Sequence, residues 1–210
     1  MPRFLVILDV DSTLIEDEVI ELLAAEAGSL PQVAAITDRA MNGELDFAES
    51  LRERAATLAG LPVQVFERVR AAVRVTAGVP QMIAAVHAAG GRVGVVSGGF
   101  AEIVGPLADE LGLDYWRANR LEVADGALTG RTNGPIIDAK AKAVALAEWT
   151  ADFKPDATVA VGDGANDLAM MAKADLSVGF DAKAPVRAAA DIALPQRDLG
   201  QLLAVLGLRG

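Results

Sequence analysis

The 210-residue sequence predicts an α/β fold, a parallel sheet covered by helices, with a small four-helix cap inserted into it. Three observations carry this. Phe4–Leu8 is a short apolar run ended by two carboxylates, the pattern of a strand buried on both faces. From about residue 80 onward, short apolar runs alternate with helical stretches, as parallel strands with crossover helices require. Between them, residues 14–74 show helical periodicity only, and helices without strands cannot belong to an alternating sheet layer. The expected division is a core of residues 1–13 and 75–210 and a cap of residues 14–74.

Composition narrows the function. Hydrophobic residues make up 52% and aromatics only 4%, so Ala, Val and Leu fill the core. A net charge of −10 argues against nucleic acid or an anionic membrane as partner, and any anion site must be built from a few local basic groups and backbone N–H groups. Without cysteine there are no disulfides and no thiol catalysis. Asp9 and Asp11 interrupt the only N-terminal apolar run, so no signal segment is expected, and no uncharged stretch reaches membrane-spanning length. The expectation is a soluble, cytoplasmic protein. The single histidine, His87, lies in an Ala-rich helical stretch and reads as a surface or packing residue, which leaves chemistry to carboxylates, lysine or hydroxyls.

The elements follow in order. Thr13 and Glu16 fit a capping box, so a helix is expected to start at Thr13. Val19, Leu22, Leu23 and Ala27 continue at helical spacing to Gly28. Pro31 opens a second helix, Phe47, Leu51, Ala55 and Leu58 stripe a third, and Pro62 opens a fourth. Then come helix 80–89, strand 91–97, helix 100–111, a short strand 115–118 and a hairpin 120–129 turning at Asp125-Gly126. Helix 139–150, strand 158–161, helix 166–173, strand 176–178, helix 185–190, strand 192–194 and helix 199–206 complete the chain.

Polar residues gather where strands end, and in open α/β sheets ligands bind outside the carboxyl ends of strands. Asp9 and Asp11 follow the first strand, as a site or as an acidic turn. Ser97-Gly98-Gly99 follows the next, where glycines admit a ligand and a helix N-terminus favours anions, though a plain capped turn has the same letters. GDGAND, residues 162–167, crowds Asp163, Asn166 and Asp167 after a buried strand. Oxygen donors without His or Cys point to Mg²⁺ over zinc. Lys140 and Lys142 open a helix two residues apart, so at most one faces a pocket.

Together, Asp9-Val10-Asp11-Ser12-Thr13, Ser97, Lys142 and the Gly162–Asp167 loop resemble the signature of the haloacid dehalogenase-like phosphatases. DVDSTLIEDEVIE, AMNGELDFAESLRERAATLAG, VVSGGF, ANRLEV and VAVGDGANDLAM extend the likeness over almost the whole chain, toward the phosphoserine phosphatase family. The resemblance implies a Rossmann-like core with a helical cap after the first strand. It implies Mg²⁺-dependent hydrolysis of O-phospho-L-serine, the last step of serine biosynthesis, through an aspartyl phosphate. Asp9 would be nucleophile and metal ligand, and Asp11 the general acid/base with its backbone carbonyl on the metal. Asp163 would complete the protein ligands, and Asp167 would order a metal-bound water. Ser97, the Gly98 N–H and Lys142 would hold phosphate. Glu18 and Arg54 would grip the serine ammonium and carboxylate, Asn166 would help bind substrate, and Met41 and Phe47 would line the pocket. Without the family, Glu18 and Arg54 are ordinary helix-surface charges, and Met41 and Phe47 read as core or lining alike.

The implied cap opens for substrate and closes against water, with Gly78 and the Leu14–Ile15 turn as hinge candidates. The N-terminal regulatory domains of some relatives are not expected, and a monomer or homodimer is. Two other activities suit the architecture: a phosphotransferase passing the phosphoryl group from Asp9 to homoserine, or a phosphatase for another small phosphate monoester. A catalytically dead Mg²⁺- or phosphate-binding module is opposed by the presence of both Asp9 and Asp11. A purely structural protein is opposed by polar residues at four sites along one sheet edge.

Overall fold

The structure, a computed structural model, describes residues 2–209. Strand β1 (Phe4–Leu8) has Leu5 to Leu8 fully buried. It runs into a single wide turn, Val10–Leu14, in which Asp11 and Ser12 leave helical geometry. The helix expected from Thr13 does not form. Leu14 and Ile15 bond back to the carbonyls of Asp9 and Val10 at 3.3 and 3.0 Å, and the chain then runs extended. Ile15 pairs antiparallel with Val75, and Glu16 N donates to Arg74 O at 2.9 Å. With its backbone committed to that two-limbed ribbon, residue 13 cannot cap a helix. Its hydroxyl is the one buried side-chain polar atom without a partner among the described residues.

Helices α1 (Val19–Ala27), α2 (Leu30–Met41), α3 (Phe47–Ala56) and α4 (Val65–Ala72) follow. The capping box of this region is Asp46–Glu49 at the start of α3, where both reciprocal bonds are made. Then come α5 (Val79–Ala88), β2 (Arg92–Phe100), α6 (Ala101–Leu111), β3 (Tyr115–Ala124) and β4 (Ala127–Asn133). Strand β3 is continuous where a short strand and a separate hairpin limb were expected, and Asp125 and Gly126, both with positive φ, make the turn to β4. Next are α7 (Ala139–Phe153), β5 (Ala157–Gly162), a 3₁₀ turn (Ala165–Asp167) and α8 (Leu168–Met171) in place of one helix over 166–173. Strand β6 (Leu176–Phe180), α9 (Ala184–Ala189), β7 (Ile192–Leu194) and α10 (Gln201–Leu206) close the chain.

The seven strands lie in the order β4-β3-β2-β1-β5-β6-β7, parallel except for β3 with β4. Alternate residues of β1 feed opposite cores. Val6 and Leu8 join the cluster that includes α5, α6 and α10, and Leu5 and Ile7 join the one that includes α7, α8 and α9. Leu8 sits opposite both Val95 and Val161, so β1, β2 and β5 reach their carboxyl ends at one level. Chain direction reverses there, from β1 outward to β2 and β3 and back to β5 on the other side, which is where such sheets bind ligands.

Besides the strand ends, α4 packs against α6, and two bonded junctions tie the helices of residues 14–74 to the sheet region. One is the ribbon, reinforced by Arg74 on Asp17 at 2.7 Å and on Glu16 at 2.9 Å. The other is the β3–β4 hairpin, where Gly60 N bonds Leu128 O, Leu128 N bonds Leu61 O and Val63 N bonds Gly126 O. Gly78 is a tight joint rather than a loose one, because an added Cβ would lie 2.1 Å from Gly200 N.

Candidate active site

At the end of β1, Asp9 N donates to Val161 O at 3.0 Å, which anchors the residue between strands. Its carboxylate is 4% exposed and accepts from Val10 N at 2.7 Å and from Lys142 Nζ at 2.6 Å. Lys142 also reaches Asp167 Oδ1 at 2.7 Å. It comes from the first turn of α7, whose start is fixed by Asp138 accepting from Ala141 N at 2.8 Å. Two residues earlier Lys140 is exposed, so the helix presents one lysine of the pair to the site. Oxygens of Asp9, Asp163 and Asp167 lie within 4.8 Å of one another. Residue 162 must be glycine for this: a Cβ there would lie 2.3 Å from Asp167 Oδ2.

Asp11 turns away from that cluster. Its carboxylate accepts from Val19 N at 2.8 Å and faces the Ser97 hydroxyl at 3.5 Å. Ser97 Oγ accepts from Gly99 N at 2.7 Å, and its own hydrogen points to Asp11 Oδ2 over the long 3.5 Å contact. Behind Gly98 lies Asn119, buried on β3. Its Nδ2 donates to Gly98 O at 2.9 Å and its Oδ1 accepts from Ile137 N at 2.7 Å, tying the end of β2 to the segment that enters α7.

The charges are out of balance. Burial, then Asp167, pushes Asp9 well above the usual carboxylate range, with Lys142 opposing. Asp163 rises to about 6, from burial and then Asp167. Asp11 rises to about 7, from burial and then Glu18. Burial works against the Lys142 ammonium, yet Asp9 and Asp167 outweigh it and hold its proton more tightly than in an ordinary lysine. One lysine is thus set against a crowd of buried acids.

The helical side closes the space. A cavity of about 290 Å³ is bordered by Asp9, Asp11 and Asp163 from the sheet and by Glu18 and Arg54 from the helices, with Asn166 on its rim. Glu18 accepts from the Ser12 hydroxyl at 2.7 Å. Arg54 is half-buried, donates to Ser50 O at 3.3 Å, and is lowered by burial while Glu18 and Asp11 pull the other way. The Phe47 ring lies over Gly98, so close that a Cβ there would meet it at 3.0 Å. Met41 borders the cavity but is 73% exposed, so it stands at the mouth. His87 bonds Asp114 at 2.8 Å, on the helix that precedes β2, and does not border the cavity.

Two residues at this site carry no signal in the sequence reading. Asn119 stands in a strand, where a buried amide looks like any polar residue. Lys183, from the loop after β6, borders the cavity and resembles any surface lysine. A larger cavity, about 520 Å³ between α4 and α6, is bordered by none of the predicted site residues, so volume alone does not mark the site.

The profile of the haloacid dehalogenase-like hydrolases matches residues 6–172. The chain belongs to that family. Within it, the phosphoserine phosphatase of Streptococcus thermophilus is 47% identical over 204 residues, covering 96% of this chain and 95% of that one. Phosphoserine phosphatase SerB2 of Mycobacterium tuberculosis is 50% identical over 206 residues, and there the chain spans 97% of its own length but half of the relative's. A solved structure described as a phospho-aspartyl intermediate analogue of phosphoserine phosphatase superposes with a TM-score of 0.90 at 40% identity, covering 98% of this chain and 99% of that one.

The donor set fits the divalent cation that hydrolases of this family generally use. Three buried or half-buried carboxylates converge with oxygen donors only, and their mutual repulsion is what a hard cation relieves. Among the described residues no helix is long and apolar enough to cross a membrane.

Proposed function

We propose that the chain is a Mg²⁺-dependent phosphoserine phosphatase that hydrolyses O-phospho-L-serine to L-serine and phosphate through an aspartyl phosphate on Asp9, in the cytoplasm, as the last step of serine biosynthesis. The observation that supports it best is the setting of Asp9: a buried carboxylate at the end of the central strand, 2.6 Å from Lys142, facing a cavity shared with Asp11. On this reading residues 1–13 and 75–210 are the catalytic core and residues 14–74 a cap that supplies Glu18 and Arg54.

Each residue then has one task. An oxygen of Asp9 attacks phosphorus and the serine oxygen leaves. Asp11 gives that oxygen a proton, and in the second step takes one from the water that attacks the acyl phosphate, which frees phosphate and restores Asp9. A group titrating at about 7 can do both. Ser97, the Gly98 N–H and Lys142 offset charge on the phosphoryl oxygens. Asp9, Asp163 and the Asp11 carbonyl would hold Mg²⁺, with Asp167 behind them, and the bound ion would shield the anionic nucleophile from the anionic ester. Arg54 takes the substrate carboxylate through two parallel N–H bonds and Glu18 the ammonium, while Asn166 lies against the bound ester. Phe47 over Gly98 keeps water out while the leaving group is present.

The test is phosphate release from O-phospho-L-serine against phosphothreonine, phosphoethanolamine and glycerol phosphate, with Mg²⁺ and with chelator, in the presence and absence of homoserine. Phosphoserine is expected to lead the panel, to need Mg²⁺ and to need no acceptor alcohol. Arg54→Ala is expected to raise KM on the order of 10²-fold, as loss of a charged partner of a bound carboxylate does. Equal rates across the panel, or release only with homoserine, would overturn the reading.

A further inference from the structure

One cation at the cavity, Lys183, has no part in binding Mg²⁺, phosphate or the serine head group. Among the described residues, four carboxylates border the cavity, Asp9, Asp11, Glu18 and Asp163, and two cations, Arg54 and Lys183. Lys142 is 1% exposed and paired with Asp9 and Asp167, so it adds little positive potential at the mouth before substrate arrives. The whole chain carries −10. Phosphoserine brings roughly −2 at neutral pH, from a phosphate near −2 and a balanced amino-acid head group. Mg²⁺ held by Asp9 and Asp163 would offset the inner carboxylates, but an anion must still approach from solvent a protein of net charge −10.

Lys183 stands at that mouth. It precedes α9, and its backbone N donates to Asp163 O at 3.1 Å, which pins the loop to the acidic rim. The residue is exposed, and its side chain is near enough to Asp163 to work against the rise in that carboxyl's proton affinity. Among the described residues it makes no ion pair within 4.0 Å, unlike Arg74 or Arg197. It is a cation kept open to solvent and held by its backbone beside Asp163, the carboxylate next to which the phosphate lies on the phosphoserine reading, whereas Arg54 comes from α3.

We propose that Lys183 recruits the substrate: it attracts the phosphate end of the incoming ester, so that Arg54 and Lys183 orient the dipolar anion before the phosphate passes to Ser97 and Lys142. This rests on the phosphoserine reading. A recruiting charge acts on capture, so it shows in kcat/KM and in salt dependence and not in kcat. At about 10 mM ionic strength the screening length is about 30 Å, and at 1 M about 3 Å, so added salt removes the effect.

The experiment is steady-state turnover of phosphoserine at saturating Mg²⁺, at about 10 mM and about 1 M ionic strength. Lys183→Ala is expected to lower kcat/KM about five- to tenfold at low salt with kcat within about twofold, and the gap is expected to close at high salt. Lys183→Arg should retain wild-type behaviour, and Lys183→Glu should fall below Lys183→Ala. An unchanged kcat/KM at low salt, or a loss that persists in high salt or appears equally in kcat, would overturn it. Wild-type turnover in the same assay keeps the two ideas apart. If the wild type does not hydrolyse phosphoserine, the functional reading fails; if it does without a salt-dependent gap, only the role of Lys183 fails.

Discussion

Lys142 and Asp9 occupy a place that neither could hold alone. Each is nearly buried, and removing one partner of a buried pair leaves the other charge uncompensated, at a cost of about 3–5 kcal/mol. Lys142→Ala is therefore expected to lose about that much stability in denaturant titrations without metal, and activity with it. Lys140→Ala, at an exposed position, should stay within about 0.5 kcal/mol of wild type. Asp11 carries a second prediction. In the proposed mechanism it gives up a proton in the first step, and with its carboxyl raised to about 7 that proton is gone above neutral pH. The profile of kcat/KM should fall on the alkaline side of about 7. Asp11→Asn should lose that limb together with a factor on the order of 10²-fold or more in kcat, measured across pH at saturating Mg²⁺. Lys142 is told from Lys140 only by the family resemblance, whereas residues whose chemistry is spelled by type and spacing, such as Asp9, Asp11 and Asp163, are legible in the chain. Lys183 and Asn119 are not, because an exposed lysine and a buried amide acquire their meaning only from what the fold sets beside them.

At the level of elements, the ribbon of residues 15–17 and 74–76 joins the helices to the sheet, and Arg74 on Asp17 fastens it. Burial raises the Asp17 carboxyl, but its bonds from Arg74 outweigh that and hold it below the usual range. A carboxyl depressed in the fold contributes stability above its unfolded pKa, about 3.9, and loses it as pH falls through the folded value. Asp17→Asn should flatten the acid limb of stability below about pH 4, read from denaturant midpoints between about pH 2 and 5. The same ribbon is where periodicity reasoning fails. Thr13 and Glu16 have the letters of a capping box, but a cap requires the following N–H groups to be unpaired, and those of residues 14–16 are bound to Asp9, Val10 and Arg74. Apolar stripes such as Val19–Ala27, closed by Gly28, read correctly because their signal is repeated over several turns.

Across the whole molecule, the sheet makes a site from segments more than 150 residues apart in sequence. Strand alternation was readable, and so was the placement of acids after strands. The register that levels Leu8 with Val95 and Val161 was not, since pairing depends on both partners. Assembling the acids has a cost in the absence of metal. Asp163, raised to about 6 in the fold, binds protons there more readily than in the unfolded chain, so its contribution is fully present below about pH 4 and is lost as pH rises to about 6; Asp9 shifts in the same direction. At one fixed concentration Mg²⁺ should therefore raise the melting temperature more at pH 7 than at pH 5, a hundredfold excess over Kd adds about 2.7 kcal/mol of stability, and chelator should reverse it.

In the proposed mechanism the phosphoryl group passes through Asp9. The most direct test is rapid acid quench of enzyme turning over O-phospho-L-serine, borohydride reduction of any acyl phosphate, and peptide mass spectrometry. The expected result is homoserine in place of aspartate at position 9, absent without substrate. Reduction at another carboxylate, or none at position 9 while phosphate is being released, would contradict the account.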